Sequence, residues 1–535
     1  MRRLIEAEQA KKILSRVKIG FDVLTLPLHL SAGRVIAESV YSPINIPPFR
    51  RATRDGFAVL SDDVVGADER NPVILEISGK IEAGEFRSLR VDSGKAVEIA
   101  TGAVMPENAD AVVMVENTEI RDGVVYVRKS PSPGENVMNE GSDVMAGEVL
   151  AREGEVIDTL KIGLLAGAGI GEVRVRDMRI GIVSTGNEIL MPGQKIEPGK
   201  IYDVNSFTLF SEIRKLGATP VMIGVARDDE SEMVEVLDRA LNECHAIVTS
   251  GSTSAGKGDL LYRIVEREGE MIFHGVRVKP GKPFFFGVVD EKPVFGLPGF
   301  PTSCLTIFME FVADVIAGNL GYRLNRKTVP GKVAKRIFSE GRKELMPVIL
   351  VRNRIFPVEK GSGAITSLSE SSGYIEIEEG EEIIDRGAVR EVKLFGKVYD
   401  LAVGGLDIHE LVEWEGEVKR LTTDPELARL EFMRGNLDAA FFLGGDCSIT
   451  YGFYGREGRK GAVSGYGIEA DVYAKSHQHL VSMLRLGMVD GIYLLEPFAE
   501  RFGLEIKILG SAEVGFEAVE WLEDKIESHL KRFRK

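Results

Sequence analysis

A run of glycine, serine and threonine follows an apolar segment near the middle of the chain, at residues 248–260 (VTSGSTSAGKGDL). In such loops the backbone N–H groups stay unpaired at the end of a strand, where they can hold an anion. Lys279 and Lys282 follow in a Lys-Pro-Gly-Lys-Pro turn and add positive charge, and GLPGFP (296–301) provides another glycine-rich loop. These residues predict a site for a phosphorylated ligand.

The same loop partly matches a nucleotide-binding pattern. Residues 251–258 (GSTSAGKG) fit the first seven positions of a P-loop, but Gly258 stands where a serine or threonine would ligate Mg²⁺. No apolar segment that ends in a single aspartate supplies an evident partner motif. The pattern therefore favours a general anion-binding loop over a nucleotide-hydrolysing one.

Four carboxylates lie close to these loops in the sequence. Asp259 directly follows the glycine-rich loop, Glu188 follows an apolar segment, and Asp228 and Asp229 precede a helical segment. The simpler interpretation is that each of the three aspartates merely caps the helix that follows it. Beside an anion loop, however, carboxylates can also hold Mg²⁺ together with substrate phosphates. For Asp259 the sequence favours a functional role, because ligand pockets collect such groups.

The elements that position these residues alternate between strands and helices. Helical patterns are present at about 205–216, 231–243, 259–267 and 301–318. Between them lie four apolar segments that predict buried strands: MRIGIVSTG, TPVMIGVA, HAIVTSG and KPVFGLPG. This alternation predicts a parallel α/β sheet. Ligands bind such sheets at the carboxyl ends of the strands, where the predicted loops fall.

The rest of the chain divides into further units, and the predicted fold class is multidomain α/β and β around a central parallel α/β domain. The β-rich insertion is expected to be barrel-like or sandwich-like. The predicted domains are residues 1–46 with 138–176, the inserted β-rich module 47–137, the α/β domain 177–326, the β-barrel-like domain 327–396, and a C-terminal α/β domain 397–535.

The C-terminal domain contains a weak internal repeat. A helix, a glycine, an aspartate three residues later and an apolar strand occur twice, with Gly435 and Asp438, then with Gly487 and Asp490. The pattern fits two related lobes or two ordinary αβ units that look alike. Residues 444–448 (GGDCS) predict either a plain turn or a ligand loop, which would be faced by Tyr466, Lys475 and His477.

The composition is typical of a soluble globular protein. The chain has 535 residues, 28% of them charged, and a net charge of -15, which argues against general binding to nucleic acid or to an anionic membrane. The three cysteines lack metal-ligand or disulfide spacing, which indicates a reducing cytoplasm. The N-terminus does not resemble a signal peptide, and no run of 18 apolar residues predicts a membrane span.

Three arginines, Arg50, Arg51 and Arg54, precede Asp55 in the β-rich module. Such a run usually forms a solvated surface. Because it follows an apolar segment (IPPF), it also fits part of an anion site that another subunit completes.

Eight motifs together resemble one known family, the molybdopterin molybdotransferases, which include MoeA and the E domain of gephyrin. The resemblance covers about residues 1–396 and is specific as a set, although each motif alone is weak. In chain order the motifs are RATRDGFAV (51–59), ATGAVMPENADAVV (100–113), STGNEI (184–189), IYDVNS (201–206), RDDE (227–230), TSGSTSAGKGD (249–259), VKPGKP (278–283) and GLPGFP (296–301).

The resemblance implies an elongated homodimer of four-domain subunits that inserts molybdate into adenylylated molybdopterin, with Mg²⁺, and releases AMP. Lys279 and Lys282 would neutralise phosphate or molybdate, and Glu188 and Asp259 would position Mg²⁺. Asp228 would complete the catalytic set, in a cleft on the α/β domain that the second subunit faces. The pterin would contact Asp55, Thr101, Thr185, Gly186, Ser250, Gly251, Ser252, Thr253, Ser254, Pro298 and Pro301.

The chain departs from the family pattern at several positions. Arg54 stands where methionine is usual, Asn187 where aspartate is frequent, and Phe300 where asparagine is usual. Lys257-Gly258 replaces an acidic residue that often precedes the last aspartate of the glycine loop. The site is therefore more basic, which could favour tungstate over molybdate.

The C-terminal units resemble periplasmic-binding-protein-like domains that are sometimes fused to such enzymes and that close on a small ligand. We therefore expect an enzyme with a C-terminal sensor or delivery domain. The adenylyltransferase of the same pathway is a candidate partner of this enzyme. Two other classes stay open. One is a non-catalytic carrier or regulator that binds pterin or oxyanion, and the other is an interaction protein that organises partners.

Overall fold

Each predicted unit of the chain builds its own sheet, strand pairs or barrel. The computed structural model describes residues 4–251, 260–358, 363–412, 414–455, 460–463, 466, 468, 470–486, 488–489, 491–502, 504 and 506–531.

The N-terminal region consists of short antiparallel strand pairs. Asp22–Pro27 pairs with Glu172–Asp177, and Val40–Tyr41 pairs with Val149–Ala151, so the segments before and after the β-rich insertion meet. The helix Thr159–Gly167 begins after Asp158, whose carboxylate caps it by accepting a hydrogen bond from the Lys161 N–H at 2.7 Å. The first helix, Ala7–Leu14, packs instead on the core of the α/β domain. The remaining short pair is Arg51–Ala52 with Val137–Met138.

The β-rich insertion forms one open six-stranded sheet, so the expectation of a barrel or sandwich was wrong. Phe57 and Ala58 belong to different hydrophobic clusters, because successive side chains of a strand point to opposite faces. Apolar side chains therefore cover both faces of this single sheet. The strands, in spatial order, are Ala111–Met114, Gly56–Val59, Lys95–Ile99, Val73–Ile81, Val124–Val127 and Thr118–Arg121.

A mixed six-stranded sheet forms the α/β domain. Two strands not predicted from the sequence, Phe285–Val289 and Glu270–His274, extend its edge as an antiparallel pair. The four predicted strands run parallel, in the order Thr219–Ala226, Arg179–Thr185, Ala246–Ser250 and Lys292–Leu297. The helices Asn205–Lys215, Glu230–Glu243 and Leu261–Glu268 lie within two residues of their predicted bounds.

The helix that follows this sheet, Pro301–Leu320, runs through the core. Its residues Phe308 and Ile316 are fully buried in the main hydrophobic cluster. The middle turn, Phe308–Val312, is π-helical and carries Glu310. The helix is long and apolar enough to cross a membrane, but 78% of its most apolar window is buried inside the protein, as in the core helix of a globular domain.

The next unit is a closed five-stranded barrel, with Ile365–Glu370 as its helix. The C-terminal domain packs on this barrel, because Phe356 of the barrel shares a hydrophobic cluster with Tyr399 and Ala440. The barrel strands, in spatial order, are Thr328–Val333, Arg354–Pro357, Glu344–Val351, Gly373–Ile377 and Val389–Leu394.

The C-terminal domain contains two long antiparallel strands, Ala439–Gly455 and Lys507–Ala518. Leu401–Gly405 pairs with the start of the strand Ala439–Gly455, and Gly491–Leu495 pairs with its end. The long strands therefore connect two α/β halves. Residues 444–448 lie within the first long strand rather than between two elements, but Leu443 and Cys447 both pair with Val514, so residues 444–446 form a bulge at the predicted turn. The other strands are Leu401–Gly405, Val418–Thr422, Lys460–Val463, Val472–Ala474 and Gly491–Leu495, and the helices are Pro425–Met433, His477–Arg485, Glu496–Phe502 and Glu520–Lys531.

The first copy of the predicted repeat has the expected geometry. The helix Pro425–Met433 ends before Gly435, which is left-handed (φ 73°), and Asp438 precedes the strand. In the second copy the helix and strand are present, whereas Gly487 and Asp490 lie outside the described residues.

Candidate functional site

A cavity of about 1000 Å³ opens at the carboxyl ends of the parallel strands. Three strands end at its wall, through Thr185, Ser250 and Pro298, as the loop positions predict for an α/β sheet. The sequence-predicted residues that line it are Thr185, Gly186, Glu188, Asp228, Ser250, Gly251, Pro298 and Pro301. The α/β domain thus brings together eight of the predicted residues.

The glycine-rich loop begins at this wall. Gly251 has a φ of 97°, and a Cβ atom there would lie 2.4 Å from the Thr185 carbonyl oxygen, so only glycine fits. The neighbouring Thr185 hydroxyl donates to the Ser250 carbonyl at 3.2 Å. Ser252, Thr253, Ser254 and Asp259 lie outside the described residues.

The carboxylates Glu188 and Asp228 both line the cavity. The Asp228 N–H donates to the Asn187 side-chain oxygen at 3.1 Å, and the Lys200 ammonium donates to the Asn187 carbonyl at 2.5 Å. Asn187 therefore connects the loops of two adjacent strands. Asp229 caps the helix Glu230–Glu243 by accepting from the Glu232 N–H at 3.0 Å, as the simpler interpretation of the sequence predicted.

The Lys-Pro-Gly-Lys-Pro turn contributes its prolines and glycine to the cavity wall, but neither lysine lines it. The Lys279 ammonium lies 3.2 Å from a Glu340 oxygen and 3.5 Å from a Glu344 oxygen, both on the barrel domain. Lys282 is exposed beside Gly281 and Pro283. The ammonium of Lys279 is therefore engaged by carboxylates of the barrel domain, whereas Lys282 is exposed to solvent.

Asp55 and Thr101 lie on the β-rich module and do not line this cavity. The Thr101 N–H donates to the Asp55 carboxylate at 2.7 Å, and this bond lowers the pKa of the Asp55 carboxyl. Two of the neighbouring arginines have partners outside the cavity: Arg50 donates to the Ala109 carbonyl of the same module, and Arg51 donates to the Met138 sulfur of the N-terminal region. Within one subunit, this group stays separate from the cavity.

A polar group on the cavity floor was not predicted as functional. Asn205 donates from its amide nitrogen to the Ser250 hydroxyl at 2.6 Å and to the Gly299 carbonyl at 2.7 Å, and Asp203 lies two residues before it. Both side chains are more than nine-tenths buried and line the cavity. The signal in the sequence was IYDVNS, in which polar residues precede the helix Asn205–Lys215.

The buried thiol of Cys304 adds no nucleophilic chemistry to the site. Burial raises the pKa of the Cys304 thiol to about 12, which keeps it protonated and unreactive. Among the residues that the structure describes, no group of three or more His, Cys, Asp or Glu side chains could hold a metal ion. Glu188 and Asp228 both line the cavity, and their carboxylate oxygens are of the kind that Mg²⁺ prefers.

Three family models match the chain. The MoeA N-terminal region (domain I and II) matches residues 5–169, the probable molybdopterin binding domain matches 181–318, and the MoeA C-terminal region (domain IV) matches 330–395. These ranges include the N-terminal region, the cavity and the barrel.

Relatives with similar sequences and structures agree with these matches. The molybdopterin molybdenumtransferase of Haemophilus influenzae is 33% identical over 327 residues, which are 61% of this chain and 80% of the relative. Molybdopterin molybdenumtransferase 2 of Mycobacterium tuberculosis is 30% identical over 406 residues, 72% of this chain and 98% of the relative. A crystal structure of the molybdopterin biosynthesis MoeA protein from Pyrococcus horikoshii superposes with a TM-score of 0.66 at 38% identity, and covers 73% of this chain and 99% of that one.

The fold and site thus define a multidomain protein with a ligand cavity at the carboxyl ends of a parallel α/β sheet. The chain belongs to the MoeA family of molybdenum cofactor biosynthesis proteins.

Proposed function

We propose that this protein is a molybdopterin molybdenumtransferase, which inserts molybdate or tungstate into adenylylated molybdopterin and releases AMP. The observation that carries the proposal is the cavity at the strand ends, where the glycine-rich loop begins and which Glu188 and Asp228 both line. The names of the relatives from H. influenzae and M. tuberculosis support the same reaction.

The residues of the cavity suit the two parts of this reaction. In this proposal, backbone N–H groups of the glycine-rich sequence that begins at Gly251 would hold a phosphate of the pterin substrate. Glu188 and Asp228, together with Asp259, would hold Mg²⁺, which neutralises phosphate charge during cleavage. A water molecule adds across the phosphoanhydride bond, so that AMP leaves and the pterin keeps its own phosphate. In the insertion, the two dithiolene sulfurs displace two oxygens of the oxyanion, which leave as water with protons from the thiols and the solvent. Lys282, exposed at the rim, would attract the oxyanion.

Single-turnover release of AMP tests this reaction. Purified protein would receive adenylylated molybdopterin, Mg²⁺, and either molybdate or tungstate. We expect oxyanion-dependent AMP release that falls at least about 100-fold in Glu188→Gln, Asp228→Asn and Asp259→Ala, but not in Glu235→Gln, an exposed residue of the helix Glu230–Glu243. The faster oxyanion identifies the metal.

A non-catalytic carrier or regulator is the second candidate, and one observation favours it. Lys279, which the reaction would use for charge neutralisation, is instead paired with Glu340 and Glu344. Tight pterin binding without AMP release from either oxyanion would establish this candidate and exclude the transferase.

A homodimer is a further part of the proposal. The N-terminal region exposes large apolar side chains, among them Leu30 (61%), Tyr41 (56%) and Leu160 (82%), which would be covered in a subunit interface. Asp55 and Thr101 would then act in the cavity of the second subunit. Mixing Asp55→Ala protein with Glu188→Gln protein should restore part of the AMP release, since one cavity of the mixed dimer keeps both groups. Monomeric protein with full activity would contradict this arrangement.

The C-terminal domain is proposed to be a periplasmic-binding-protein-like sensor or delivery domain. Support comes from its two α/β halves, which the long strands Ala439–Gly455 and Lys507–Ala518 connect. Tyr466 and His477 of one half contact Asp407 of the other, at 2.7 Å and 2.8 Å. Protection of the domain from thermal unfolding by molybdate, tungstate or pterin would identify its ligand.

We also propose that the protein is located in the cytoplasm and that it contacts the adenylyltransferase of the same pathway.

A further inference from the structure

Among the residues that the structure describes, none donates a hydrogen bond to two buried oxygen atoms of the cavity lining. They are Oδ2 of Asp203 and Oδ1 of Asn205. The two side chains are 4% and 8% exposed, and both residues line the cavity. Buried polar atoms are almost always paired in folded proteins, so two neighbouring unpaired acceptors at one wall indicate a ligand that donates.

The orientation of both groups is fixed by their other bonds. Asp203 accepts the Ser206 N–H through Oδ1 at 3.0 Å, at the start of the helix Asn205–Lys215. Asn205 directs its NH₂ group at the Gly299 carbonyl, which can only accept a hydrogen bond. A rotated amide would place two oxygens against each other, so Oδ1 of Asn205 must be the atom that remains free. The floor therefore presents acceptors, and cannot present a donor at these two positions.

The surrounding wall suits a flat ring. Ile201, Tyr202, Pro298 and Phe300 line the cavity together with Asp203. The Tyr202 hydroxyl donates a hydrogen bond to the Gln194 carbonyl at 2.8 Å, and this bond restrains the position of the Tyr202 ring. Apolar and aromatic groups around a few fixed polar atoms are the usual composition of a site for a planar heterocycle.

We propose that Asp203 and Asn205 determine specificity for the 2-amino-4-oxopyrimidine edge of the pterin ring. This inference rests on the proposed function, because it assigns the ring end of the same substrate. The edge carries two N–H donors, on the 2-amino group and on ring nitrogen N3, and their number and type match the two unpaired acceptors. Asp203 and Asn205 are specificity-determining residues for the ring end of the substrate.

The test compares ligands that differ only at this edge. The probes are pterin (2-amino-4-oxopteridine) and lumazine (2,4-dioxopteridine), which has a carbonyl in place of the amino group. Binding to the full-length protein would be followed by the ligands' own fluorescence. We expect the wild-type protein to bind pterin at least about tenfold more tightly than lumazine, since the dioxo compound would oppose oxygen to oxygen.

The decisive variant is Asp203→Asn, which keeps an oxygen for the Ser206 N–H and turns the free acceptor into a donor. It should lose about tenfold in pterin affinity and shift its preference toward lumazine. Asp158→Asn is the matched control, because Asp158 also caps a helix but lies outside the cavity; its preference should equal that of the wild type. Asn205→Leu, checked for an unchanged circular dichroism spectrum, should also lose the preference for pterin.

Each outcome decides one claim. Unchanged discrimination in Asp203→Asn, with AMP release intact in the wild type, would overturn this inference and leave the transferase standing. If Asp203→Asn loses the discrimination between pterin and lumazine but the wild-type protein releases no AMP, the ring site is supported and the transferase is overturned. Guanosine monophosphate shares the same edge; if it binds more tightly than pterin and responds to Asp203→Asn, the edge recognition stands but its assignment to pterin fails.

Discussion

Arg354 of the barrel and Asp438 of the C-terminal domain form an ion pair across the domain boundary, with 2.5 Å between Nη2 and Oδ2. The Asp438 side chain is 7% exposed and also accepts the Ala402 N–H at 2.7 Å. Arg354 donates in addition to the carbonyls of Gly435 and Asn436. The left-handed turn that ends the helix Pro425–Met433 is thus held by an arginine from another domain.

Removal of one partner of this pair should destabilise the C-terminal domain. Arg354→Met leaves Asp438 buried without its charge partner, which should cost about 3 kcal/mol. Both tryptophans, Trp414 and Trp521, belong to the C-terminal domain, so tryptophan fluorescence during urea unfolding measures it selectively. Arg336→Met removes an exposed pair with Asp385 and should cost less than about 1 kcal/mol. Equal losses in the two variants would contradict a special role for Arg354.

Glu310 in the core helix should make the α/β domain sensitive to acid. Burial alone would raise the pKa of this carboxyl, but hydrogen bonds from Lys11 and Tyr374 and the charge of Lys393 outweigh it and hold the pKa at about 2. Because this value lies below the ordinary 4.5, the stabilisation is full above pH 4.5 and is lost as the pH falls toward 2.

Glu310→Gln should therefore lower the stability by about 3 kcal/mol at pH 7 and weaken the acid dependence. Far-UV circular dichroism during thermal unfolding would measure the loss, and hydrogen exchange would follow the helix Ala7–Leu14, which carries Lys11. Glu8→Gln is the matched control, since Glu8 is 72% exposed and also contacts Lys11; its melting temperature should stay within about 2 °C. An unchanged acid limb in Glu310→Gln would refute the assignment.

Two neighbouring residues of the C-terminal domain should have opposite effects on its pH dependence. Burial lowers the pKa of His409 to about 4, with a contribution from Arg420, whereas burial raises the pKa of Glu410 to about 7, with a contribution from Asp407. The stability due to neutral His409 is full above pH 6.5 and is lost as the pH falls toward 4. The stability due to protonated Glu410 is full below pH 4.5 and is lost as the pH rises toward 7.

In the wild type these two dependences oppose each other between pH 4.5 and 6.5. Glu410→Gln should expose the His409 dependence, as a fall of about 3 kcal/mol in the free energy of unfolding from pH 6.5 to 4. Trp414 reports on this directly, because its indole N–H donates to the His409 carbonyl at 2.8 Å. The double variant with His409→Gln should lose this slope. A slope that persists in the double variant would show that other groups cause it.

Phe300 should affect substrate binding without affecting stability. Its side chain is 63% exposed, yet it lines the cavity where the family usually has asparagine. Phe300→Ala should raise the KM for adenylylated molybdopterin about tenfold, because an aromatic face that would cover the substrate is removed. The melting temperature should be unchanged, as in the control Phe86→Ala, an 83% exposed ring on the β-rich module. A lower melting temperature with unchanged KM would contradict this role.

Local patterns were sufficient to predict the four parallel strands of the α/β domain and the helices between them. The apolar runs that end at Thr185 and Ser250 predicted two neighbouring strand ends, and both line the cavity. Asp229 has the helix-capping role that its position before a helical pattern suggested. These features depend on residues only a few positions apart.

Pairings between distant segments could not be predicted in this way. Lys279 has the residue type of an anion ligand, but its partner Glu340 lies 61 positions later on another domain. The orientation of the Asn205 side-chain amide is fixed by the Gly299 carbonyl, which lies 94 positions away in the sequence. Glu310 lies in a strongly apolar helix, where the sequence alone gives no sign of the lysines that pair with it.

The C-terminal domain is attached through barrel residues that do not line the cavity. All described residues that line the cavity precede position 366, whereas the domain contacts the barrel through Arg354, Arg386, Glu370 and the cluster around Phe356. A substitution at this boundary therefore leaves the composition of the cavity wall unchanged. The stability of the domain attachment and the chemistry of the cavity can thus be altered independently of each other.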